Sequence, residues 1–356
     1  MNIIRRNIYQ HTRRGSIIPA AFINKYYTSS SSTISSRLFT TTTFTNNNNK
    51  TIAYQYIHGD ENIYNKDNKR NTCVMIHGML GQGKNLRTFA RRIVKQYPFF
   101  DVLLVDLRGH GKSPSFFPNA IKNNVENCAI DIYNLFKVIE VAPDVIIGHS
   151  FGGKVALSLM KHTLLNSDGN AYQILPRTWI WDSVAGTIDP STLPTTNSTL
   201  QVLKALQNIK VPVKSKNVLS TFEKYDIGPG IANWMTTNLV PNPEKPGTYL
   251  WAFDLPCCVE LFESYCETDI YDVIDELPLI DSFPNANEAP ILNFVRAGGN
   301  LIWDEDRVTE MDDICSSAYG NQVSIYNVPD VGHWIHVEAP NVVFDLLDQN
   351  TLSKFD

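Results

Sequence analysis

From about residue 51 onward, short apolar runs alternate with longer stretches whose apolar residues recur every three or four positions. Val74-Met-Ile76, Asp101-Val-Leu-Leu-Val-Asp106, Val145-Ile-Ile147, Trp179-Ile-Trp181, Ile291-Leu-Asn-Phe-Val295 and Gln322-Val-Ser-Ile-Tyr-Asn-Val328 read as strands. Most of them are nearly unbroken runs of apolar side chains, as expected of strands covered on both faces. Between them, residues 85–96 place Leu86, Phe89, Ile93 and Val94 on one helical stripe. Residues 121–140 do the same with Val125, Ile132, Leu135, Phe136 and Ile139, and 154–163 and 341–349 complete the predicted helices. Strand–helix alternation of this kind predicts an α/β fold with a mostly parallel central sheet and helices on both faces. Ligands in such sheets bind beyond the carboxyl ends of the strands.

The alternation lapses between Thr187 and Pro290, where eight prolines from Pro190 to Pro256 separate short helical segments. This stretch is expected to form a helical lid over the site. The organisation follows: 1–50 outside the fold, 51–186 and 291–356 as two parts of one core, and 187–290 as the lid. No internal repeat is present.

Composition changes the picture at the N terminus. The 356-residue chain has a net charge of −5. Seven of its 31 basic residues precede Asp60, with no acidic residue among them, so the remainder holds 24 basic and all 36 acidic side chains. From Thr28 to Thr45, 13 of 18 residues are Ser or Thr, and an Asn run follows at 46–49. A basic, hydroxyl-rich, acid-free segment reads as a mitochondrial transit peptide with a low-complexity linker, which predicts a matrix location. The acidic body is a poor match for nucleic acid, whose phosphates require clustered Lys and Arg. No apolar run approaches the ~18 residues of a membrane-spanning helix. The six cysteines have no CxxC spacing, so they are expected to be buried reduced thiols, and no metal site is expected.

The chemistry concentrates at the strand ends. Gly148-His149-Ser150-Phe151-Gly152 is a G-x-S-x-G between a predicted strand and a predicted helix. A serine hydroxyl is a weak nucleophile until a base takes its proton, and this sharp turn lifts the hydroxyl into the cleft. His333, after the last strand, is the candidate base, with a pKa range suited to proton exchange at neutral pH. His336 is expected to be a supporting or surface residue. His77-Gly-Met-Leu-Gly81 follows the first apolar strand, so the backbone N–H groups of Met79 and Phe151 are candidate donors to an oxyanion. His77 and His149 are expected to orient loops. The acid that fixes the histidine tautomer has two possible sources. Asp182 stands directly at the end of Trp179-Ile-Trp181. Asp304 and Asp306 stand beyond Val295, where the usual G-x-x-D spacing counted from Gly298 falls on Leu301. Asp182 needs no adjustment and is preferred. Ser rather than Asp at the elbow disfavours dehalogenase and epoxide hydrolase chemistry.

These strings resemble the α/β-hydrolase superfamily, and within it the group of abhydrolase-domain-containing protein 11 and the YbfF-type esterases. The resemblance runs from about residue 52 to the end. It rests on His77-Gly-Met-Leu-Gly81, Asp106-Leu-Arg-Gly-His-Gly-Lys-Ser113, Gly148-His-Ser-Phe-Gly-Gly-Lys154, Trp181-Asp-Ser-Val-Ala-Gly186, Trp234-Met-Thr-Thr-Asn-Leu239 and Gly332-His-Trp-Ile-His336. It implies an α/β-hydrolase fold with a helical lid, Ser150 as nucleophile, His333 as base and the acid at Asp182. The expected activity is cofactor-free hydrolysis of a small acyl ester or thioester by way of an acyl-enzyme. Lyases and cofactor-free peroxidases can use the same triad, and a binding protein with a vestigial pocket is the non-enzymatic alternative. The chain departs from the group in its lid and in Gly298-Gly-Asn-Leu-Ile-Trp303. Substrate choice is expected to involve lid aromatics, with Trp234, Trp251 and Phe253 as candidates.

Overall fold

The computed structural model describes residues 41–44, 51–115, 122–165, 177–194, 198–279, 281, 289–317 and 321–356. The proposed targeting segment therefore lies outside the described residues, except for one short strand. In chain order the first elements are β1 (Thr41–Phe44), β2 (Tyr54–Ile57), β3 (Asn71–Ile76), α1 (Arg87–Gln96), β4 (Phe100–Val105), α2 (Val125–Ile139), β5 (Val145–His149), α3 (Phe151–Leu165) and β6 (Arg177–Trp181). The insertion follows as α4 (Thr199–Gln207), α5 (Ser215–Lys224), α6 (Pro229–Thr236), β7 (Leu239–Pro241), β8 (Tyr249–Trp251), α7 (Leu255–Glu267) and α8 (Asp272–Asp275). The core resumes with β9 (Ile291–Ala297), α9 (Glu305–Cys315), β10 (Val323–Val328), α10 (Ile335–Glu338) and α11 (Pro340–Asn350).

The main sheet runs in the order β1-β2-β4-β3-β5-β6-β9-β10. The pairs β1/β2 and β2/β4 are antiparallel, and the six strands from β4 to β10 are parallel. Side chains alternate across a strand, and the core divides accordingly. Val74, Ile76, Leu103, Val105, Ile146 and Ile180 pack on one face against α2 and α3. Cys73, Met75, Val102, Leu104, Ile147, Trp179 and Trp181 pack on the other against α1 and α11. Burial on both faces explains why these strands read as continuous apolar runs.

The elements start where side chains can satisfy free helix-end amides. Asn124 accepts from the Asn127 N–H at the start of α2, and Asp254 does the same for Cys257 in α7. The α3 helix is buried on nearly every side through Met160, consistent with its central place.

Three features differ from the sequence expectation. Thr41–Phe44, inside the segment set apart as an address, pairs with β2 at the sheet edge. Its threonine run suits a strand, a preference that the segment's basic, hydroxyl-rich composition masks. The insertion is not wholly helical: β7 and β8 form a two-stranded sheet, each strand only three residues long and too short to display a period. Residues 305–315, to which the sequence pattern assigns no helix, form α9, capped by Asp304.

The insertion shares one apolar core with α2 and α3 through Val202, Leu203, Phe222, Met235, Leu261 and Phe262. A polar tie reinforces it. Lys154, fully buried in α3, donates from Nζ to the carbonyls of Gly186, Tyr265 and Thr268 at 2.7, 2.6 and 2.8 Å. All three ammonium protons are thereby satisfied, two of them around the C-terminal end of α7.

Candidate active site

β5 ends directly at the elbow. Ser150 has φ of +54°, in the left-handed region that a non-glycine residue adopts at a cost of order 1–3 kcal/mol. The turn is held by the Ser150 N–H donating to the Trp181 carbonyl at 2.8 Å and by Gly153 donating to the Ser150 carbonyl at 2.7 Å. Its tightness dictates the glycines. A Cβ at Gly152 would lie 2.6 Å from the carbonyl oxygens of both Ile76 and His77, and one at Gly148 would lie 2.2 Å from that of Gly152. These are backbone atoms that cannot swing aside. Gly152→Ala should therefore cost at least about 3 kcal/mol. Denaturant unfolding checks this, and an alanine variant as stable as the parent would contradict so close a turn.

Ser150, His333 and Asp182 form one hydrogen-bonded chain. Ser150 Oγ lies 2.8 Å from His333 Nε2, and His333 Nδ1 lies 2.6 Å from Asp182 Oδ2. His333 reaches this point from the loop after β10 and is a quarter exposed, whereas the Asp182 side chain is fully buried. Asp182 follows β6 with φ of +48° and accepts three further hydrogen bonds. Oδ1 accepts from the Ala297 N–H and from Trp303 Nε1, both at 2.8 Å, and Oδ2 accepts from Asn300 Nδ2 at 2.6 Å. A carboxylate so surrounded by donors is fixed in orientation. It directs the His333 proton to Nδ1 and leaves Nε2 free to accept.

The other two acid candidates are not brought to His333. Asp304 caps α9 by accepting from the Arg307 N–H, and its carboxylate pairs with the Arg307 guanidinium at 2.7 Å. Asp306 sits exposed in the first turn of α9. The helix start that turns these groups away also leaves Leu301 77% exposed.

The backbone N–H groups of the two loops differ in whether they already have a partner. In the loop after β3, Leu80 N–H donates to His110 Nε2 at 3.1 Å and Gly81 N–H to the Gly78 carbonyl at 3.0 Å. The Ser150 N–H is likewise engaged with Trp181. The N–H groups of Met79 and Phe151 have no hydrogen bond of their own among the described residues. Both residues are buried, and Met79 lines the cleft.

Four histidines hold the loops around this centre. The Leu107 N–H donates to His77 Nε2 at 3.0 Å, which puts the His77 proton on Nδ1, 2.8 Å from the Gly78 carbonyl. His110 repeats the arrangement with Leu80 and the Arg108 carbonyl. His149 Nε2 donates to the His333 carbonyl at 2.9 Å, fixing the backbone of that residue. His336 packs edge-on to His149 and stacks on Trp181, with its Nδ1 buried and, among the described residues, without a hydrogen-bond partner.

Burial lowers all four pKa values: to about 4 for His77 and His336, to about 3 for His110, and well below 6.5 for His149. At these four histidines the folded state binds fewer protons than the unfolded chain at pH values below about 6.5. Their contribution to stability is complete above that pH and is lost as pH falls towards 4. The shift of His77 alone corresponds to roughly 3 kcal/mol over that window. The thermal midpoint should fall steeply from pH 7 to pH 4.5, and a flat scanning-calorimetry profile would contradict neutral buried imidazoles.

The cleft over Ser150 has a volume of about 550 Å³, including the solvent at its mouth. The insertion contributes Thr199, Val202 and Trp234 to its wall, and among the described residues none that lines it is Asp, Glu, Lys or Arg. Trp234 packs against Trp334 with ring centroids 5.8 Å apart. Trp251 and Phe253, also anticipated at the substrate, instead stack on each other at 5.2 Å behind the loop carrying His110, and do not line the cleft.

Sequence reasoning missed Asn300 and Trp303, the side-chain partners of Asp182 from the loop after β9. The available signal was Gly298–Trp303, where the chain departs from the group it resembles and where the usual G-x-x-D spacing falls on Leu301. It also missed His110 as the acceptor for Leu80, although His110 lies in one of the quoted strings.

The sequence pattern described as the alpha/beta hydrolase family matches residues 73–346. A mouse (Mus musculus) protein named sn-1-specific diacylglycerol lipase ABHD11 is 26% identical over 301 residues, covering 83% of each chain. Its zebrafish (Danio rerio) namesake is 24% identical, over 75% of this chain and 74% of its own. The Escherichia coli esterase YbfF is 33% identical over 95 residues, 27% of this chain and 34% of its own. Among solved structures, a marine microorganism esterase superposes with a TM-score of 0.63 at 17% identity, covering 84% of this chain and 98% of its own.

Proposed function

Because the chain belongs to the alpha/beta hydrolase family, we propose that it is a carboxylic ester hydrolase working through an acyl-enzyme on Ser150. The observation that carries this reading is the unbroken chain from Ser150 Oγ through His333 to Asp182, beside two backbone amides with no other partner. The names of the mouse and zebrafish relatives agree with ester chemistry.

The geometry supports the following sequence. His333 Nε2 takes the Ser150 proton as Oγ bonds to the acyl carbon, and the carbonyl electron pair moves onto its oxygen. The Met79 and Phe151 N–H groups stabilise that oxyanion. Buried Asp182 stabilises the imidazolium. The imidazolium then gives its proton to the departing alkoxide or thiolate, which leaves the acyl group on Ser150. Water, deprotonated by His333, attacks the acyl carbon, releasing the carboxylic acid and restoring the serine. A cleft whose described lining holds no Asp, Glu, Lys or Arg suits an uncharged acyl ester or thioester.

The test is product analysis across acyl esters and acyl thioesters, with mass spectrometry of the protein after a fluorophosphonate probe. The expected result is carboxylic acid plus alcohol or thiol, and a covalent adduct on Ser150. Products of elimination or peroxidation would replace this reading with a non-hydrolytic one. A protein that neither turns over nor takes up the probe would be a binding scaffold. We also propose that residues 1–50 direct the chain to mitochondria, on their basic, acid-free composition. A fluorescent protein carrying them should enter the organelle, and a cytosolic fusion would overturn this.

A further inference from the structure

Asn238 lies in the insertion, in the string Trp234–Leu239 that the sequence singled out and that the proposed mechanism leaves without a role. It is fully buried. Its own backbone is fixed, because its N–H donates to the Met235 carbonyl at 3.0 Å and its carbonyl accepts from the Ala252 N–H at 2.8 Å. Its side chain is directed at the loop after β3. Nδ2 donates to the Leu80 carbonyl at 2.9 Å, and Oδ1 accepts from Gln82 Nε2 at 2.6 Å. Next to it, Lys84 Nζ donates to the Thr237 carbonyl at 3.0 Å.

Leu80 needs such a hold. Its φ is +61°, a left-handed conformation that a leucine keeps only where its surroundings over-determine it. Both of its backbone polar groups are clamped, the N–H by His110 from the loop after β4 and the carbonyl by Asn238 from the insertion. Met79, whose N–H faces the reacting carbonyl in the proposed mechanism, immediately precedes it. We infer that Asn238 is a positioning residue that holds the Met79 amide in line with the oxyanion, so that transition-state stabilisation depends on the seating of the insertion. The inference rests on the proposed serine-hydrolase reading. It gives the insertion a part in the chemical step, in addition to the cleft wall supplied by Trp234 four residues earlier.

The physical consequence is selective. An amide aimed at the oxyanion interacts little with a ground-state carbonyl and strongly with the tetrahedral adduct. Loosening it lowers kcat and leaves KM nearly unchanged. Asn238→Asp keeps an oxygen for Gln82 but removes the donor to the Leu80 carbonyl. Gln82→Met releases the same asparagine from its other side and serves if the first variant does not fold.

The experiment measures kcat and KM on a short acyl ester together with the inhibition constant of an aliphatic trifluoromethyl ketone. Serine adds to this ketone to form an oxyanionic hemiketal. Asn238→Asp should lower kcat by ~10- to 100-fold, short of the ~10²–10³ expected for outright loss of a donor. The inhibition constant should rise by the same factor, with KM held within about twofold. Gln82→Met should move in the same direction by less. Unchanged kcat, a loss carried by KM, or an unmoved inhibition constant overturns the role of Asn238. A parent protein with no ester turnover and no Ser150-dependent ketone binding overturns the hydrolase reading beneath it, so the two failures are distinct.

Discussion

Replacing Ser150 by alanine should reduce turnover of short acyl esters by about 10⁴-fold or more, because no other group near the acyl carbon can form the covalent intermediate. The protein should remain folded. The change deletes one hydroxyl and its 2.8 Å hydrogen bond to His333 and leaves the strained elbow, its glycines and the amides of Met79 and Phe151 in place. A single hydrogen bond of this kind is worth about 1 kcal/mol, a shift of only a few degrees in the thermal midpoint. Substrate should still bind, since the cleft walls and the amides are untouched. Kinetics and calorimetry on one preparation check both halves, and an alanine variant with full activity would remove Ser150 from the chemistry.

Asp182→Asn should lower kcat by about 10⁴-fold, although the substitution is nearly isosteric. The reason lies in the donors that converge on the carboxylate. Ala297 N–H and Trp303 Nε1 both point at Oδ1, so the asparagine carbonyl takes that position. Its NH₂ group must then occupy the Oδ2 position, facing His333 Nδ1 and Asn300 Nδ2, each 2.6 Å from that oxygen. To accept from this NH₂ group, His333 must carry its proton on Nε2 instead of Nδ1. A protonated Nε2 cannot take the proton of Ser150. Asp304→Asn and Asp306→Asn are the controls and should keep activity within about twofold, as expected of surface substitutions. If either control lost activity as severely as Asp182→Asn, the assignment of the acid would fail.

The serine and the histidine were legible because each is marked by its immediate neighbours. The elbow needs an apolar strand, a glycine, the serine and a glycine-led helix within about ten residues, and the close backbone approaches at Gly148 and Gly152 explain that local pattern. Likewise, the loop carrying His333 follows a strand whose ends the hydropathy delimits. The acid was only partly legible. Choosing among Asp182, Asp304 and Asp306 depends on how the loop after β9 folds, and residues 300–304 give no periodic signal. There, Asn300 and Trp303 turn inward to Asp182, Leu301 turns out to solvent, and Asp304 starts a helix. Similarly, the lid aromatics could be recognised but not assigned, because Trp234 and Trp251 lie in the same insertion and only their packing separates cleft wall from support.

The sequence by itself determined the alternation of buried strands and amphipathic helices, and hence a parallel sheet with reactive groups at its carboxyl ends. Those properties follow from short-range side-chain periodicity and from turns that only glycine can make. The tertiary structure alone decided which carboxylate serves His333, which amides remain free to face an oxyanion, and how the insertion is tied to the core. Each of these depends on single polar contacts between segments far apart in the chain, such as Asp182 with His333, Leu80 with Asn238, and Lys154 with the end of α7. A buried polar group must find a partner wherever the fold brings one, and no local pattern records where that will be.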